Sequence, residues 1–255
     1  GGTTMNTNTS YMTREEQRRE RDSLILAGLT VLRLPGMAEY YREKFVDNPD
    51  PPENKSTEEF IEEMVGTQRA LRTSNRTMKY AKDADFWFLD ANLENLTKRN
   101  ASLTKSQVGY LSKCSYIDNH GLVIITGPAK SGITYLGCAI GTSCCNLKYR
   151  TQYVRYTSLI QNLAEANKDG TLSDLLNSYR RTQCLIIDDW LNDPISTKET
   201  LLMKEILDYR EKFGGTVLIS HSPVSEWKKN LSASKEVLAS LLQTMTIGAT
   251  EISHF

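Results

Sequence analysis

The stretch that most constrains the fold is GLVIITGPAKSGITY, residues 121–135, where an apolar run ends in a glycine-bounded turn. It approaches the phosphate-loop pattern G-x-x-x-x-G-K-S/T, in which backbone N–H groups cradle phosphates. Gly127, Gly132 and Thr134 hold their places, but the lysine position carries Ile133, and a lysine appears three residues early as Lys130. Such a loop requires a strand before it and a helix after it. GLVIITG is the expected strand, and TYLGCAIGTSCC the expected helix, whose first N–H groups and dipole attract anions. Gly127, Pro128, Ala129, Lys130, Ser131, Gly132, Ile133, Thr134 and Tyr135 are therefore the candidate nucleotide-binding residues, with the Thr134 hydroxyl facing a magnesium ion.

A nucleotide site also needs an acid at the end of a second strand. CLIIDDW places Asp188 and Asp189 directly after four apolar residues, in the manner of a Walker B strand. Magnesium takes oxygen ligands and keeps much of its hydration, which suits Asp188. Asp189 is expected to orient or activate the attacking water. A further apolar run, TVLISHSP, ends in polar residues, of which His221 or Ser220 is placed to sense the terminal phosphate. For His221 taken alone, a loop or capping histidine is the plainer expectation.

The texture of the chain changes near residue 115. Before it, helical signals dominate: Thr13 with Glu16, and Ser56 with Glu59, form capping boxes ahead of helical apolar spacing. The first precedes TREEQRRERDSLILAGLTVLRL, the second FIEEMVGTQRALRTSNRTMKYAK; MAEYYREKF is a short helix between them, and VDNPDPPENKS a loop. After Gly121, short β-rich runs alternate with helical stretches, the pattern of a parallel sheet covered by helices. The expected organisation is a tag-derived or disordered start over 1–12, a helical domain over 13–115, and an αβα P-loop domain over 116–255.

In the long helix, Arg69, Arg72, Arg76 and Lys79 follow spacings that put all four on one face. Residues 65–115 hold nine Lys/Arg against four Asp/Glu, which makes the stretch locally basic in a chain of net charge +0. Such a row suits a phosphate backbone, whose contacts need charge and reach. A solvated face, or contact with an acidic partner, is the plainer alternative.

Five cysteines, two of them adjacent and none in C-x-x-C spacing, point to reduced core thiols, and three scattered histidines argue against zinc. No stretch approaches a membrane span or opens as a signal peptide, so a cytoplasmic protein without membrane contact is expected.

LRLPGMAEYY, STEEFIEEMV, the loop at 127–134, YVRYTSLIQNLAEANKDGTLSDLL, LIIDDW and LISHSPVSEW follow the order seen in IstB-like proteins. The chain resembles these ATP-binding helpers of insertion-sequence transposition, which are related to DnaC helicase loaders and to AAA+ ATPases. The resemblance spans residues 24–252. It implies a helical N-terminal domain, an αβα ATPase domain, and ATP-dependent homo-oligomers that bend DNA and recruit a transposase. Phosphates and Mg2+ would be held by Gly127 to Thr134, and Asp188 and Asp189 would form the Walker B pair. Trp227 fits a family tryptophan with a structural role. Two cations of that family are missing. Ile133 replaces the loop lysine, and Gln243 and Thr244 stand where Asp-Arg would supply an arginine to the neighbour's ATP. Only Arg210 remains after Asp189, late in a helix begun by the Ser196–Glu199 capping box, and the finger's role is not transferred to it. Nucleotide binding with little hydrolysis is the expectation; a helicase loader, or a nucleotide-independent DNA-binding regulator, are the alternatives.

Overall fold

The structure is a computed structural model describing residues 12–48, 55–99 and 103–253. The segment expected to be a tag remnant or disordered start lies outside the described residues, Met12 apart, as do residues 49–54 of the Pro-rich loop. The chain divides into two compact units, Gly1–Asn75 and Arg76–Phe255.

The first unit is helical. α1 (Arg14–Val31) starts on the Thr13–Glu16 capping box, and α2 (Pro35–Tyr41) continues into a π-helical turn over Arg42–Val46. The long α3 (Thr57–Asp83) begins on Ser56 and Glu59, which exchange bonds of 2.6 and 3.2 Å, and passes into the second unit. Buried polar groups tie these helices together. The Gln68 Oε1 accepts from Gly36 N at 2.8 Å and Met37 N at 3.2 Å, satisfying first-turn N–H groups of α2 that have no other cap. Tyr41 Oη donates to Asp22 at 2.7 Å, and Tyr40 Oη to Glu63 at 2.6 Å.

The second unit is an αβα sandwich. α4 (Leu93–Arg99), α5 (Lys105–Lys113) and the one-turn α6 (Ser115–Asp118) precede β1 (Leu122–Thr126). There follow α7 (Ile133–Asn146), β2 (Thr151–Arg155), α8 (Tyr156–Asp169), α9 (Leu172–Arg181) and β3 (Cys184–Asp188). α10 (Thr197–Phe213), β4 (Gly215–Ser220), a 3-10 turn (Val224–Asn230), α11 (Lys235–Thr246) and β5 (Thr250–Ser253) complete it. The strand order is β2-β3-β4-β1-β5, and every pairing is parallel. This is the expected α/β class with a parallel sheet. The textural change near residue 115 falls within this unit, because α4 and α5 pack against α7.

Successive strand residues point to opposite faces. Val123, Ile125, Ile186, Val217 and Ile219 join the core on the α7 side, while Ile124, Leu185, Ile187 and Leu218 join the core beneath α8 to α11. Both faces are thus covered, which accounts for near-continuous apolar strands. α7 packs closely on the sheet: a Cβ at Gly137 would collide with Ile219 of β4, and one at Gly141 with Ile186 of β3 as well as with Phe86. The sequence carries no signal for β5, since Ile252 is its one buried residue and four residues give no periodicity.

The amino ends of β3 and β4 are joined by Arg210, 1% exposed. Its Nη1 donates to the carbonyls of Tyr179 at 2.7 Å and Thr182 at 2.8 Å, its Nε to Thr216 Oγ1 at 2.8 Å, and its Nη2 to Gly215 O. Burial lowers its pKa to about 10, which leaves it charged at neutral pH. Replacing Arg210 with Met removes these donors and strands their acceptors. The expected loss is about 3 kcal/mol or more, a fall in melting temperature of roughly 6–12 °C for a domain of this size. A melt within about 2 °C of the parent would show that the acceptors find other partners.

Candidate nucleotide site

Parallel pairing puts the carboxyl ends of the strands at one edge, where ligands bind in open α/β sheets. Registers align Thr126 with Ser220 and Arg155 with Asp188. The loop after β1 passes Lys130 and Gly132 in left-handed conformations, φ 68° and 91°, and enters α7 on Gly132 with no side-chain cap. The first intrahelical bond there is Leu136 N to Gly132 O at 2.9 Å, so the N–H groups of Ile133, Thr134 and Tyr135 have no helical acceptor. Ser131 Oγ is a buried hydroxyl without a hydrogen-bond partner among the described residues. A free helix terminus beside an orphaned donor is a fitting environment for phosphate oxygens.

A cavity of about 320 Å3 opens at this edge, lined by Lys130, Gly132, Thr134 and Tyr135 of the loop side, Tyr153 and Arg155 of β2, His221, and the aromatic pair Trp87 and Phe88. Ile133 also reaches its wall but is 2% exposed and belongs to the core on the α7 face. Gly127 is buried, and Pro128 and Ala129 are exposed; none of these three lines the cavity.

Asp188 closes β3 at 1% exposure. Its Oδ2 accepts from Tyr153 Oη at 2.6 Å and its Oδ1 from the Asp189 N–H at 2.8 Å. Burial raises its pKa above the ordinary carboxylate value, opposed by the hydrogen bonds from Tyr153 and the Asp189 N–H and, least, by the nearby Thr134 hydroxyl. Thr134 and Asp188, the two residues expected to hold magnesium, thus lie near each other. Among the described residues no group of three or more His, Cys, Asp or Glu could hold a metal. An ion here would take its remaining ligands from phosphate and water, in keeping with magnesium chemistry.

Asp189 has φ 56°, which turns the chain back sharply after β3. Its Oδ2 accepts from Arg155 Nε at 3.0 Å and Nη2 at 2.5 Å, and its Oδ1 from Asn192 Nδ2 at 3.2 Å. His221 Nε2 stands 3.3 Å from Asp189 Oδ1, and its Nδ1 3.2 Å from Gly127 O. His221 therefore bridges the loop and the second aspartate. Ser220 does not face the cavity: it is fully buried, donates to Trp190 O at 2.8 Å and accepts from Trp227 Nε1 at 3.2 Å. Trp227 is 0% exposed in the same core.

The basic stripe lies on α3. Arg69, Arg72, Arg76 and Lys79 are all exposed, the first two in the first unit and the last two in the second. Arg76 donates from Nε to Tyr80 Oη at 3.0 Å and sits 5.2 Å from that ring's centroid. Sequence reasoning passed over Arg155, Tyr153, Trp87 and Phe88. The first two belong to a strand legible in the sequence, but their acidic partners are set by strand order, which the sequence does not show. The third and fourth belong to no motif.

Tyr153→Phe leaves Asp188 Oδ2 without its phenol donor and raises the Asp188 pKa further. A carboxylate with a raised folded pKa loses stability as pH climbs from its unfolded value through its folded one. The variant should therefore lose about 1–3 kcal/mol at pH 7, and less as Asp188 becomes protonated in acid. Equal losses at both pH values, by denaturant unfolding, would refute the coupling.

The IstB-like ATP binding protein family matches residues 27–251. An insertion-sequence protein of Pseudomonas fluorescens, named for ATP binding in IS1162, is 27% identical over 201 residues, 78% of this chain and 86% of its own. A second protein so named, y4uH of Sinorhizobium fredii, is 26% identical over 204 residues, 80% of this chain and 82% of its own. Among solved structures, DnaI superposes with a TM-score of 0.56 at 17% identity, covering 67% of this chain and 96% of that one. The DnaC helicase loader gives 0.53 at 14%, covering 65% and 97%. DnaA bound to AMPPCP and single-stranded DNA gives 0.52 at 21%, covering 66% of this chain and 51% of that one. At these identities the structural likeness establishes the shared AAA+ P-loop fold. Sequence match and fold agree, and the chain belongs to the IstB-like ATP binding protein family of insertion sequences.

Proposed function

We propose that this chain is a nucleotide-binding, DNA-binding helper of transposition that works in the cytoplasm as a homo-oligomer beside a transposase. In this reading residues 116–255 form the ATPase part and 13–115 the part that meets DNA and partners. ATP lies against Gly127 to Tyr135, with Mg2+ on Thr134 and Asp188, Asp189 beside the attacking water, and His221 at the terminal phosphate. Arg69, Arg72, Arg76 and Lys79 contact the DNA backbone.

The observation that carries the nucleotide part is that Thr134 and the uncapped α7 N-terminus line one cavity, with the buried Asp188 held directly behind its wall by Tyr153. The names of the insertion-sequence relatives support the transposition setting. Hydrolysis is slow in this reading, because Ile133 supplies no charge and Arg210 is committed to backbone carbonyls. A loop lysine contributes charge-assisted bonds worth about 1.5–3 kcal/mol. Mg·ATP should therefore bind about ten- to a hundredfold more weakly than to a lysine-bearing loop, and Thr134→Ala should weaken its Mg-dependent part. Calorimetry with hydrolysis followed in the same cell checks both. No binding at millimolar Mg·ATP would overturn the nucleotide reading.

The burial of Ile133 favours one second reading, a nucleotide-independent regulator that binds DNA on the same fold. DNA affinity measured across a salt series, with and without ATP, separates the two. Under either, each alanine placed at Arg69, Arg72, Arg76 or Lys79 should reduce the slope of log K against log salt by about 0.9 for every phosphate that is no longer neutralised. An unchanged slope would remove the stripe from the DNA interface.

A further inference from the structure

Ile133 leaves the loop without its usual cation, yet the cavity has a positive wall. Arg155, the last residue of β2, lines it with Lys130, Gly132 and Thr134. Its side chain is 45% exposed and is held on two sides. Nε and Nη2 bind Asp189 Oδ2 at 3.0 and 2.5 Å, and the guanidinium carbon lies 4.9 Å from the centroid of the Trp87 ring. Among the described residues Nη1 has no hydrogen-bond partner. Lys130 is also exposed in the loop, but its ammonium is held by no comparable pair of contacts.

We propose that Arg155 supplies the phosphate-binding charge that Ile133 cannot, with Nη1 donating to the terminal phosphate of a nucleoside triphosphate while Nε and Nη2 remain on Asp189. The inference rests on the nucleotide reading above. A guanidinium suits the task because its planar fork bonds two oxyanions at once. Placed between Asp189 and a phosphate, it separates two like charges that would otherwise repel. The Trp87 face fixes the plane of the fork, so little side-chain freedom remains to be lost on binding. β3 and β4 stand between β2 and β1, and Arg155 lines the same cavity as the loop, so a polyphosphate seated on the loop after β1 and running toward β2 would meet Arg155 at its far end. Arg155 therefore distinguishes triphosphate from diphosphate, a task different from that of a lysine within the loop.

The test is calorimetric titration of Mg·ATP and Mg·ADP into the full chain and into R155Q, R155K and the double variant R155Q/D189N, each checked by thermal melt. R155Q should lose about tenfold or more in ATP affinity and less than about threefold for ADP, which lacks the phosphate concerned. R155K keeps the charge but not the fork, so its ATP affinity should fall between the two. It also serves if R155Q proves unstable. The double variant should bind ATP no better than R155Q. Recovery of parental affinity in the double variant would mean that Arg155 only neutralises Asp189, and would overturn the proposal. So would equal losses for ATP and ADP, or an unchanged R155Q beside a parent that binds ATP. A parent that binds neither nucleotide overturns the nucleotide reading itself, and the role of Arg155 with it.

Discussion

The candidate site depends on the parallel hydrogen-bond ladder of the sheet. Because all five strands run the same way, every strand-to-helix turn leaves from one edge. Register then decides which side chains meet there. Thr126 beside Ser220 brings the loop after β1 to His221, and Arg155 beside Asp188 brings the end of β2 to the aspartates. A one-residue slip in either pairing would send these side chains to opposite faces. Apolar residues buried on both faces resist that slip, since it would exchange the residues of the two cores.

The opposite edge of the sheet has a different anchor. Arg210 fills the space where α9, β3 and β4 begin or end, and its donors face the carbonyls of Tyr179, Thr182 and Gly215. A buried charge is tolerated when its hydrogen bonds are complete. That commitment also explains why the single arginine after Asp189 plays no part at the site: its donors are engaged in the interior, at the far end of the strands. The two edges thus divide the work, one fixing strand starts and the other presenting side chains.

Charge at the site is arranged around the place where a lysine is missing. Ile133 uses the first position of α7 for packing, in a helix already pressed on the sheet at Gly137 and Gly141. The positive groups of the cavity come from Lys130 in the loop and Arg155 across it. Asp188 is held by Tyr153 and its own turn, and Asp189 by Arg155, Asn192 and His221. The two adjacent aspartates therefore sit in different surroundings, one buried and one facing Arg155 and His221.

Much of this was legible in the sequence. The strands LVIIT, TQYVR, CLIID and TVLIS, the helix after the loop, and the capping boxes at Thr13, Ser56 and Ser196 carry local patterns that short-range physics enforces. The loop and the acid pair follow, since each is adjacent to its own strand. Sequence spacing does not encode strand order, which is set by pairing between distant segments. Only the fold therefore placed β2 beside β3, and with it Tyr153 on Asp188 and Arg155 on Asp189. Trp87 lies far ahead of Arg155 in the chain, and nothing local announces that the two will stack. The sequence by itself determined four of the five strands, the glycine spacing of the loop and the absent lysine. The tertiary structure decided which cations face the cavity, because that choice depends on contacts between residues far apart in the chain.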